Sequence, residues 1–421
     1  MAKPHLRPVD PVARAVTRAI RPGFLRRTSA CRADHRSRAA ARSRPDRDAF
    51  APPHDDRPAS DGQPGDPGGF RCDRPDLAHR GTTVGTHRRP TTLHVSRRVA
   101  ITGAGGFIGS HLARHHLNAG NTVRGLDLPG IQMPDGVEPI YGDLTDPDAI
   151  AKTVVGCDVV VHTAACVAES GEWSTFFRLN ARAPRDVAVA ARDAGARSFV
   201  HLSSVMVHGF DYRDGANEDD ALDPADNPYC WSKIIGEQYL RGVSRPGEFS
   251  VHIVRPGDVY GPGSVPWVLR PIQHMHDRTF LYVDPRHSVI NHVYIDNLID
   301  AIGMIVAGED ATSDRPFIVT DGQRTLMRDF WGWFAVRAGV SRQPALPGWL
   351  AEPAVGLLST VLPSQVTRKL DLDRQSIRYL RRRGVFDITR VQSLGWQPII
   401  GLDQGREVTA EWLAGIGLLR A

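Results

Sequence analysis

Residues 97–109, RRVAITGAGGFIG, contain the stretch that decides the fold. The apolar run over residues 97–103 is typical of a buried strand, and residues 106–120 have a helical pattern that ends at a glycine. Residues 121–127 predict the next strand. The stretch therefore opens a strand–helix–strand unit.

Short apolar runs continue to alternate with helical stretches as far as about residue 262. The runs lie at residues 138–143, 158–165, 197–204 and 250–257, with helical stretches such as residues 181–195 between them. Nearly continuous apolar strands that alternate with helices imply a parallel sheet covered on both faces. We therefore predict an α/β fold, a doubly wound parallel sheet (Rossmann), over residues 96–262.

After residue 262 the alternation becomes irregular, and tryptophans and prolines become frequent. We expect residues 263–421 to form mostly a smaller C-terminal lobe, with some elements that return to the core. Ligands of open α/β sheets bind outside the carboxyl ends of the strands. This lobe should therefore lie against those strand ends and select the substrate.

Residues 1–95 differ in composition from the rest of the chain. They hold 18 Arg, one Lys and ten Asp with no Glu, whereas the remaining residues hold 33 basic and 37 acidic side chains. With 12 Pro and one Ile, they have too little apolar surface to offset the entropy of ordering, so we expect a disordered leader. The Arg bias of a GC-rich coding sequence favours a misassigned start, with translation beginning near Val95. A targeting peptide or an RNA-binding arm is the alternative.

Charge and cysteine content argue against several classes of protein. The basic excess belongs to the leader and the body is mildly acidic, so we expect no nucleic-acid partner. Five cysteines without C-x-x-C spacing indicate neither a metal site nor a disulfide framework, and favour a reducing, cytoplasmic setting. The longest uncharged run, between Glu352 and Arg368, has 15 residues, fewer than the ~20 that cross a bilayer, so we expect no membrane span.

The glycine motif TGAGGFIG, residues 102–109, connects the first strand to the first helix. Gly103 permits a tight turn, Gly106 lets the backbone approach a pyrophosphate, and Gly109 lets the helix pack closely on the sheet. Free N–H groups at the helix N-terminus attract phosphate. The motif predicts a dinucleotide site with contacts from Gly103, Gly106, Phe107, Ile108 and Gly109.

Asp127 ends the second predicted strand and indicates which dinucleotide binds. Its carboxylate can accept hydrogen bonds from ribose hydroxyls and repel a 2′-phosphate, which favours NAD over NADP. Arg124 would favour NADP, but it lies within the predicted strand and not at its tip. We therefore predict NAD as the cofactor.

Tyr229 and Lys233 are four residues apart at the start of a helical pattern, so the phenol and the ammonium share one face. A nearby ammonium and a cationic nicotinamide would both favour the phenolate, and a downward shift of ~3 pKa units corresponds to about 4 kcal/mol. Tyr229 could then exchange a proton with an alcohol while hydride moves to or from the cofactor. Ser203 and Ser204, at the end of the strand before it, can hydrogen-bond the same substrate oxygen.

With these motifs the body resembles an extended short-chain dehydrogenase/reductase of the NAD-dependent epimerase/dehydratase family, over residues 97 to about 300 and more loosely beyond. The resemblance implies that Ser204, Tyr229 and Lys233 are catalytic. It implies a cofactor-lining role for Tyr229 and Lys233 and for these further residues: Asp143 and Leu144 at the adenine, Ala164 and Ala165 after the fourth strand, and Pro256 beside the nicotinamide. Asn180 resembles the asparagine that opens the next helix, and homodimers are common in the family.

Departures from the family pattern indicate which of the family's reactions to expect. Dehydratases have an Asp-Glu pair after the catalytic Ser/Thr, where this chain has Val205 and Met206, which argues against dehydration. Nucleotide-sugar epimerases commonly have an Asn at Asp258 and an Arg at Ile290, and both groups serve a substrate diphosphate. The segments VRPGDVYGPG and NHVYIDNLIDA resemble the 3β-hydroxysteroid dehydrogenase branch.

We therefore expect an NAD-dependent oxidoreductase that acts on a secondary alcohol or ketone of a bulky, steroid-like small molecule. The apolar stretch 353–362 would then line a hydrophobic pocket or rest on a membrane surface, with packing in the lobe's own core as the favoured alternative. Nucleotide-sugar 4-epimerisation and a non-catalytic NAD-binding sensor are the alternative functions.

Overall fold

The computed structural model describes residues 96–168, 171–340, 343–351, 353 and 374–419. The expectations for the leader, residues 1–95, and for residues 354–362 of the apolar stretch lie outside the described part of the chain.

Thirteen strands lie among the described residues. They are β1 Arg98–Thr102, β2 Thr122–Asp127, β3 Glu138–Tyr141, β4 Val159–His162, β5 Ser198–Leu202, β6 Ser250–Pro256, β7 Asp258–Tyr260, β8 Tyr282–Val283, β9 Val289–Ile290, β10 His292–Tyr294, β11 Pro316–Val319, β12 Thr325–Leu326 and β13 Ala345–Leu346.

The α-helices of the described residues are α1 Phe107–Asn118, α2 Pro147–Val154, α3 Trp173–Phe176, α4 Ala183–Asp193, α5 Pro228–Leu240, α6 Arg270–His276, α7 Ile295–Ala307, α8 Met327–Arg337, α9 Arg374–Leu380, α10 Thr389–Gln392 and α11 Leu402–Gly415. A π-helical segment, Phe177–Arg182, joins α3 to α4, and a second one, Val265–Leu269, precedes α6.

The seven-stranded sheet has the order β3-β2-β1-β4-β5-β6-β11, and every neighbouring pair is parallel. This confirms the predicted doubly wound fold. The strand order reverses between β1 and β4, and a ligand crevice forms at such a point, outside the carboxyl ends of the strands. β11 comes from beyond residue 262 and completes the sheet beside β6.

Alternate residues of the central strands face two apolar layers. Ile101 of β1 packs in a cluster with Leu112 of α1 and Leu298 of α7, whereas its neighbour Ala100 packs in a second cluster with Leu240 of α5. The first cluster continues into the short strands and helices after residue 262. Both faces of the sheet are therefore covered, which leaves its carboxyl edge for the site. No helix among the described residues is long and apolar enough to span a membrane.

The predicted strand bounds agree with the structure to within three residues. The apolar runs 158–165 and 197–204 extend beyond β4 and β5, which end at His162 and Leu202. The additional residues leave the sheet at its carboxyl edge and form the loops of the crevice.

Candidate active site

The glycine motif forms a tight connection between β1 and α1. Gly103 has a φ of +71°, and its N–H donates to the carbonyl oxygen of Leu126 over 2.7 Å. A Cβ on Gly109 would lie 2.1 Å from the oxygen of Gly103, and one on Gly103 would lie 2.9 Å from the nitrogen of Ala164. The turn therefore requires glycine at both positions, because a side chain would displace backbone.

Asp127 holds the glycine turn from the end of β2. Its Oδ2 accepts from the N–H of Gly105 over 2.9 Å, and its Oδ1 accepts from the N–H of Leu128 over 2.8 Å. Burial raises the pKa of this carboxyl, and the two backbone hydrogen bonds oppose that shift. Each oxygen keeps a lone pair, so Asp127 can also accept from ribose hydroxyls.

The residues at the start of α1 fit a dinucleotide. Gly106 precedes the helix and is exposed, no described side chain caps the helix, and its first turn has no acidic residue. The first N–H groups therefore remain available to a phosphate. Phe107 and Ile108 are partly buried against the large apolar cluster and hold the first turn in place.

Arg124 does not lie at the cofactor site. Its Nη1 donates to the carbonyl oxygens of Lys152 and Val155 over 3.0 and 2.8 Å, at the end of α2, and its Nε pairs with Glu138 at 3.0 Å. The guanidinium is therefore engaged with the end of a helix. This agrees with the sequence argument that set Arg124 aside as an NADP determinant.

The other predicted cofactor residues lie at the carboxyl ends of their strands or in the loops that follow. Asp143 is exposed, and its Oδ1 accepts from the backbone N–H and hydroxyl of Thr145, while Leu144 packs against the apolar cluster behind β1. Ala164 and Ala165 follow β4, and the Ala164 N–H lies 3.4 Å from the hydroxyl of Thr102. Pro256 ends β6. The fold thus brings Ala164 beside Gly103.

Tyr229 and Lys233 lie in the first two turns of α5. Asn227 caps this helix by accepting from the N–H groups of Tyr229 and Cys230 over 2.9 and 3.1 Å, and Pro228 occupies the first turn. Lys233 is buried, with its Nζ 5.8 Å from the centre of the Tyr229 ring. The ammonium donates to the carbonyl oxygen of Leu202 over 2.7 Å, which ties α5 to the end of β5.

Ser204 lies between that strand end and Tyr229. Its Oγ accepts from the N–H of Met206 over 3.1 Å, which starts a short 3₁₀ turn over Val205–His208. A side-chain hydrogen bond also links Ser204 with Tyr229. The structure therefore brings the three predicted catalytic side chains to one place on the carboxyl edge.

The chain's own groups raise the pKa of Tyr229, whereas the expected downward shift combined the ammonium of Lys233 with a cationic nicotinamide. Burial raises the pKa of the phenol, and the hydrogen bond with Ser204 offsets this in part. Burial also lowers the pKa of Lys233 to about 8. The desolvation of the phenol depends on the tertiary structure, and the two positive charges of the expectation do not include it. The chain's own groups therefore keep Tyr229 protonated.

Two buried histidines lie below Lys233, at the ends of β4 and β5. The rings of His162 and His201 stack with centres 5.7 Å apart, and the Nδ1 of His162 bonds the hydroxyl of Thr102 over 3.0 Å. Burial, with a smaller effect of Lys233, lowers the pKa of His162 to about 3 and that of His201 well below its usual value. Both rings are therefore neutral near pH 7, so they add no charge beneath the lysine.

Asn180 lies inside the π-helical segment and does not open a helix, because the helical run already begins at Trp173. Its amide exchanges hydrogen bonds of 2.7 and 2.9 Å with the backbone of Cys166 and donates to the hydroxyl of Ser232 over 3.1 Å. It therefore ties the loop after β4 to the residue beside Lys233. Local periodicity could not show this contact.

Glu237 is a buried residue of the site that the sequence argument missed. It accepts from Arg255 in a bidentate pair, at 2.9 and 2.6 Å, and from the hydroxyl of Ser203 over 2.5 Å. Ser203 is therefore occupied by Glu237, which leaves Ser204 for a substrate. The detectable signal was the spacing, since Glu237 follows Lys233 by four residues on the same helix face.

No cluster of three or more His, Cys, Asp or Glu side chains that could hold a metal lies within the described residues.

Comparison with known proteins places this site in a family. The model of the NAD dependent epimerase/dehydratase family matches residues 99–319, just over half of the chain. The chain therefore belongs to that family. It is an enzyme of the extended short-chain dehydrogenase/reductase kind, and its cofactor is NAD.

Curated relatives differ in the reactions that their names describe. A 4-hydroxy-2-methyl-3-oxo-4-farnesyl-3,4-dihydroquinoline-1-oxide ketoreductase of Stigmatella aurantiaca is 26% identical over 55% of this chain and 71% of its own length. A 3-beta-hydroxysteroid dehydrogenase of Mycolicibacterium neoaurum is 24% identical over 57% and 70%. A UDP-glucose 4-epimerase of Mycolicibacterium smegmatis is 28% identical over 75% and 98%.

Among solved structures, MoeE5 in complex with UDP-glucuronic acid and NAD superimposes with a TM-score of 0.61, at 23% identity, over 76% of this chain and 99% of that one. At this identity the likeness concerns the fold.

Proposed function

We propose that this protein transfers hydride between NAD and a secondary alcohol or ketone of a bulky, steroid-like substrate. The observation that carries the proposal is the meeting of Ser204, Tyr229 and Lys233 beside the loop after β5, at the edge of the sheet that also holds the glycine turn. A hydroxyl pair backed by a buried cation is suited to polarise a carbonyl and exchange a proton with its oxygen.

Each of the three residues has a distinct role in the proposal. Bound NAD supplies the two-electron acceptor or donor. Tyr229 gives its proton to the substrate oxygen in ketone reduction, and burial keeps it protonated for this step. Ser204 donates a hydrogen bond to the same oxygen. Lys233 stabilises the phenolate that remains, and it is held in place by the carbonyl oxygen of Leu202.

One observation supports hydride transfer without dehydration, and another supports a bulky apolar substrate. Val205 and Met206 follow the catalytic serine, so this position offers no carboxylates for a dehydration. The names of two relatives describe a farnesylated ketone and a steroid alcohol as substrates. We assign these substrate features to the present chain by analogy.

Nucleotide-sugar 4-epimerisation is the second candidate. It is favoured by the UDP-glucose 4-epimerase relative, which this chain matches over 98% of that protein's length. An epimerase would use the same residues to oxidise a sugar hydroxyl and then reduce the ketone on its other face. Such a cycle leaves no net NADH.

The two candidate reactions differ in the product that accumulates: net NADH in the first and an epimerised nucleotide sugar in the second. Purified protein mixed with NAD and a panel of hydroxysteroids should form NADH, while UDP-glucose should neither form NADH nor yield UDP-galactose. The variant Tyr229→Phe should bind NAD as the wild type does and lose about 100-fold or more in turnover, as expected for removal of a general acid. Interconversion of the UDP-sugars would support the epimerase. NAD binding without turnover of either class would indicate a sensor.

A further inference from the structure

Helix α9 of the C-terminal lobe lies against the catalytic segment. Tyr379 of this helix packs with Met206 against Phe210, Ala225 and Cys230, and its ring centre lies 5.8 Å from that of Phe210. Cys230 is the neighbour of Tyr229 in α5. A residue of the C-terminal lobe therefore shares a cluster with the residue next to the proposed proton donor.

A buried ion pair holds this helix in place. Asp258, just after β6, accepts from Arg382 over 2.9 Å, from the hydroxyl of Tyr379 over 2.5 Å and from the N–H of Asn291 over 2.9 Å. The side chains of Asp258 and Arg382 are each 1% exposed. Because a buried carboxylate without these donors would be costly, the contact fixes where Arg382 and Tyr379 can lie.

The same contacts place two aromatic rings side by side. The guanidinium of Arg382 lies 3.6 Å from the centre of the Tyr379 ring and 6.0 Å from that of Trp267, and the two ring centres are 5.6 Å apart. The indole of Trp331 stacks on Trp267 at 5.9 Å and donates to its carbonyl oxygen. Burial raises the pKa of Tyr379 well above its usual value, so its hydroxyl remains a donor to Asp258.

These contacts make an apolar wall of Tyr379, Trp267 and Met206 next to the segments that carry Ser204 and Tyr229. Tyr379, Trp267 and Met206 are each partly open to solvent, whereas the charged groups behind the rings are buried and matched. A substrate that enters between this wall and Tyr229 would meet the exposed parts of two aromatic side chains and a thioether. Such surfaces bind fused aliphatic rings and isoprenoid chains well, and the charge of Arg382 is already matched by Asp258.

We propose that Tyr379 and Trp267 select substrates with a large rigid apolar body, and that the Asp258–Arg382 pair is the positioning element that holds them. This inference rests on the proposed function, since it names the part of the substrate that lies beyond the reacting carbon. Nucleotide-sugar epimerases commonly have an Asn at the position of Asp258, which binds the substrate diphosphate. In this protein Asp258 instead binds side chains of the C-terminal lobe.

The test compares a bulky substrate with a small one in the full-length protein. In Tyr379→Ala, the ratio of kcat/KM for a hydroxysteroid to kcat/KM for cyclohexanol should fall at least about tenfold, because the steroid loses apolar aromatic surface that cyclohexanol does not need. Trp333→Ala is the matched control. Trp333 is an aromatic residue of the same lobe that stacks on Arg337, and its loss should leave the ratio within about twofold. An unchanged ratio in Tyr379→Ala would overturn the proposal.

The role of the ion pair has its own variants. Asp258→Asn leaves Arg382 without its counter-charge and should lower the selectivity ratio or prevent folding. The double variant Asp258→Leu with Arg382→Met replaces the pair by apolar side chains, a change that buried pairs often tolerate. It should fold and bind NAD, as a thermal shift reports, and still have a lowered ratio because Tyr379 has lost its acceptor. A folded double variant with wild-type selectivity would show that the pair does not position the wall.

A binding measurement separates this proposal from the proposed function. Calorimetric titration of a hydroxysteroid into the NAD-saturated protein reports affinity without turnover. If the wild type binds the steroid but forms no NADH, the proposed reaction is wrong and the wall is still tested by the affinity of Tyr379→Ala. Equal affinity in wild type and Tyr379→Ala would contradict the substrate-selecting role of the wall. No steroid binding by the wild type would contradict both that role and the proposed function.

Discussion

Replacing Lys233, the proposed catalytic lysine, should make the protein more stable while it abolishes activity. Lys233 is buried, and burial lowers its pKa from 10.5 to about 8. Because the folded state binds this proton less tightly than the unfolded state, the charged lysine destabilises the fold at every pH below about 8. The cost disappears as the pH rises towards 10.5, where the lysine is neutral in both states.

The expected change in the free energy of unfolding follows from the pKa shift of Lys233. The difference between a pKa of 10.5 and one of about 8 corresponds to ~3 kcal/mol. In Lys233→Met the carbonyl oxygen of Leu202 loses its donor, which offsets ~1–2 kcal/mol. We therefore expect Lys233→Met to be about 1–2 kcal/mol more stable than the wild type near pH 7.

The neighbouring groups do not obscure this effect. His162 and His201, which face Lys233 from β4 and β5, have pKa values lowered by burial and stay neutral from pH 7 upwards. Glu237 raises the pKa of Lys233 by its charge and is itself paired with Arg255. Among these groups, Lys233 alone is expected to change its charge between about pH 8 and 10.5.

Urea denaturation near pH 7 and near pH 10 measures the effect. The stability gap between Lys233→Met and wild type should close or change sign at the higher pH, because most of the ~3 kcal/mol cost has then disappeared. Lys152→Met is the matched control, because Lys152 is exposed on α2 and its replacement should change stability by less than ~0.5 kcal/mol at either pH. A Lys233→Met protein that is less stable than the wild type near pH 7, or a gap that does not change with pH, would refute the reasoning.

Three further outcomes are expected. Gly109→Ala should weaken NAD binding at least about tenfold in calorimetry, because its Cβ would lie 2.1 Å from the oxygen of Gly103. Gly303→Ala is the control and should leave binding unchanged, since nothing lies within 4 Å of its Cβ. A normal affinity in Gly109→Ala would contradict the role of the turn. Asp127→Asn should lower the preference for NAD over NADP about tenfold or more, since one hydrogen-bond acceptor and one negative charge are lost. An unaltered preference would show that other residues select between the two dinucleotides. The rate of ketone reduction by the wild type should decline as the pH rises through about 8, where Lys233 loses its proton. The variant Lys233→Arg should be slower but show no such decline, because arginine stays charged. A decline at the same pH in both proteins would show that Lys233 is not its cause.

The features that local sequence could predict are those encoded within about one turn or one strand. β1 and α1 begin and end within two residues of their predicted bounds, because apolar periodicity and the glycines that flank them act locally. The glycine turn and the i, i+4 spacing of Tyr229 and Lys233 are equally local. Their placement at one edge of the sheet followed from the parallel topology.

The features that sequence could not predict depend on contacts between distant residues. Asp258 and Arg382 are 124 residues apart, and no periodic pattern links them. Burial raises the pKa of Tyr229, and this desolvation depends on tertiary packing that a count of nearby charges does not include. β11 was not singled out as a strand because its place beside β6 is set by pairing and not by its own sequence.

One face of α5 carries the chemistry and the support of the site. Tyr229, Lys233 and Glu237 follow one another at intervals of four residues, so they occupy successive turns from the crevice towards the interior. The innermost residue, Glu237, is fixed by Arg255, and Lys233 is fixed by the end of β5. Since a rotation of the helix would displace all three together, Tyr229 can be placed accurately although its own side chain is partly open to solvent.

Gly236, two turns after Tyr229 on the adjoining part of the α5 surface, explains why that rotation does not occur. A Cβ on Gly236 would lie 2.5 Å from the carbonyl oxygen of Asn180, so α5 is in close contact with the π-helical segment. Asn180 in turn donates to Ser232, beside Lys233. A π-helical turn widens the backbone locally and is frequent at functional sites. Here it presents a carbonyl to a glycine of the catalytic helix, and this contact sets the distance between the helix and the loop after β4 on which the cofactor residues lie.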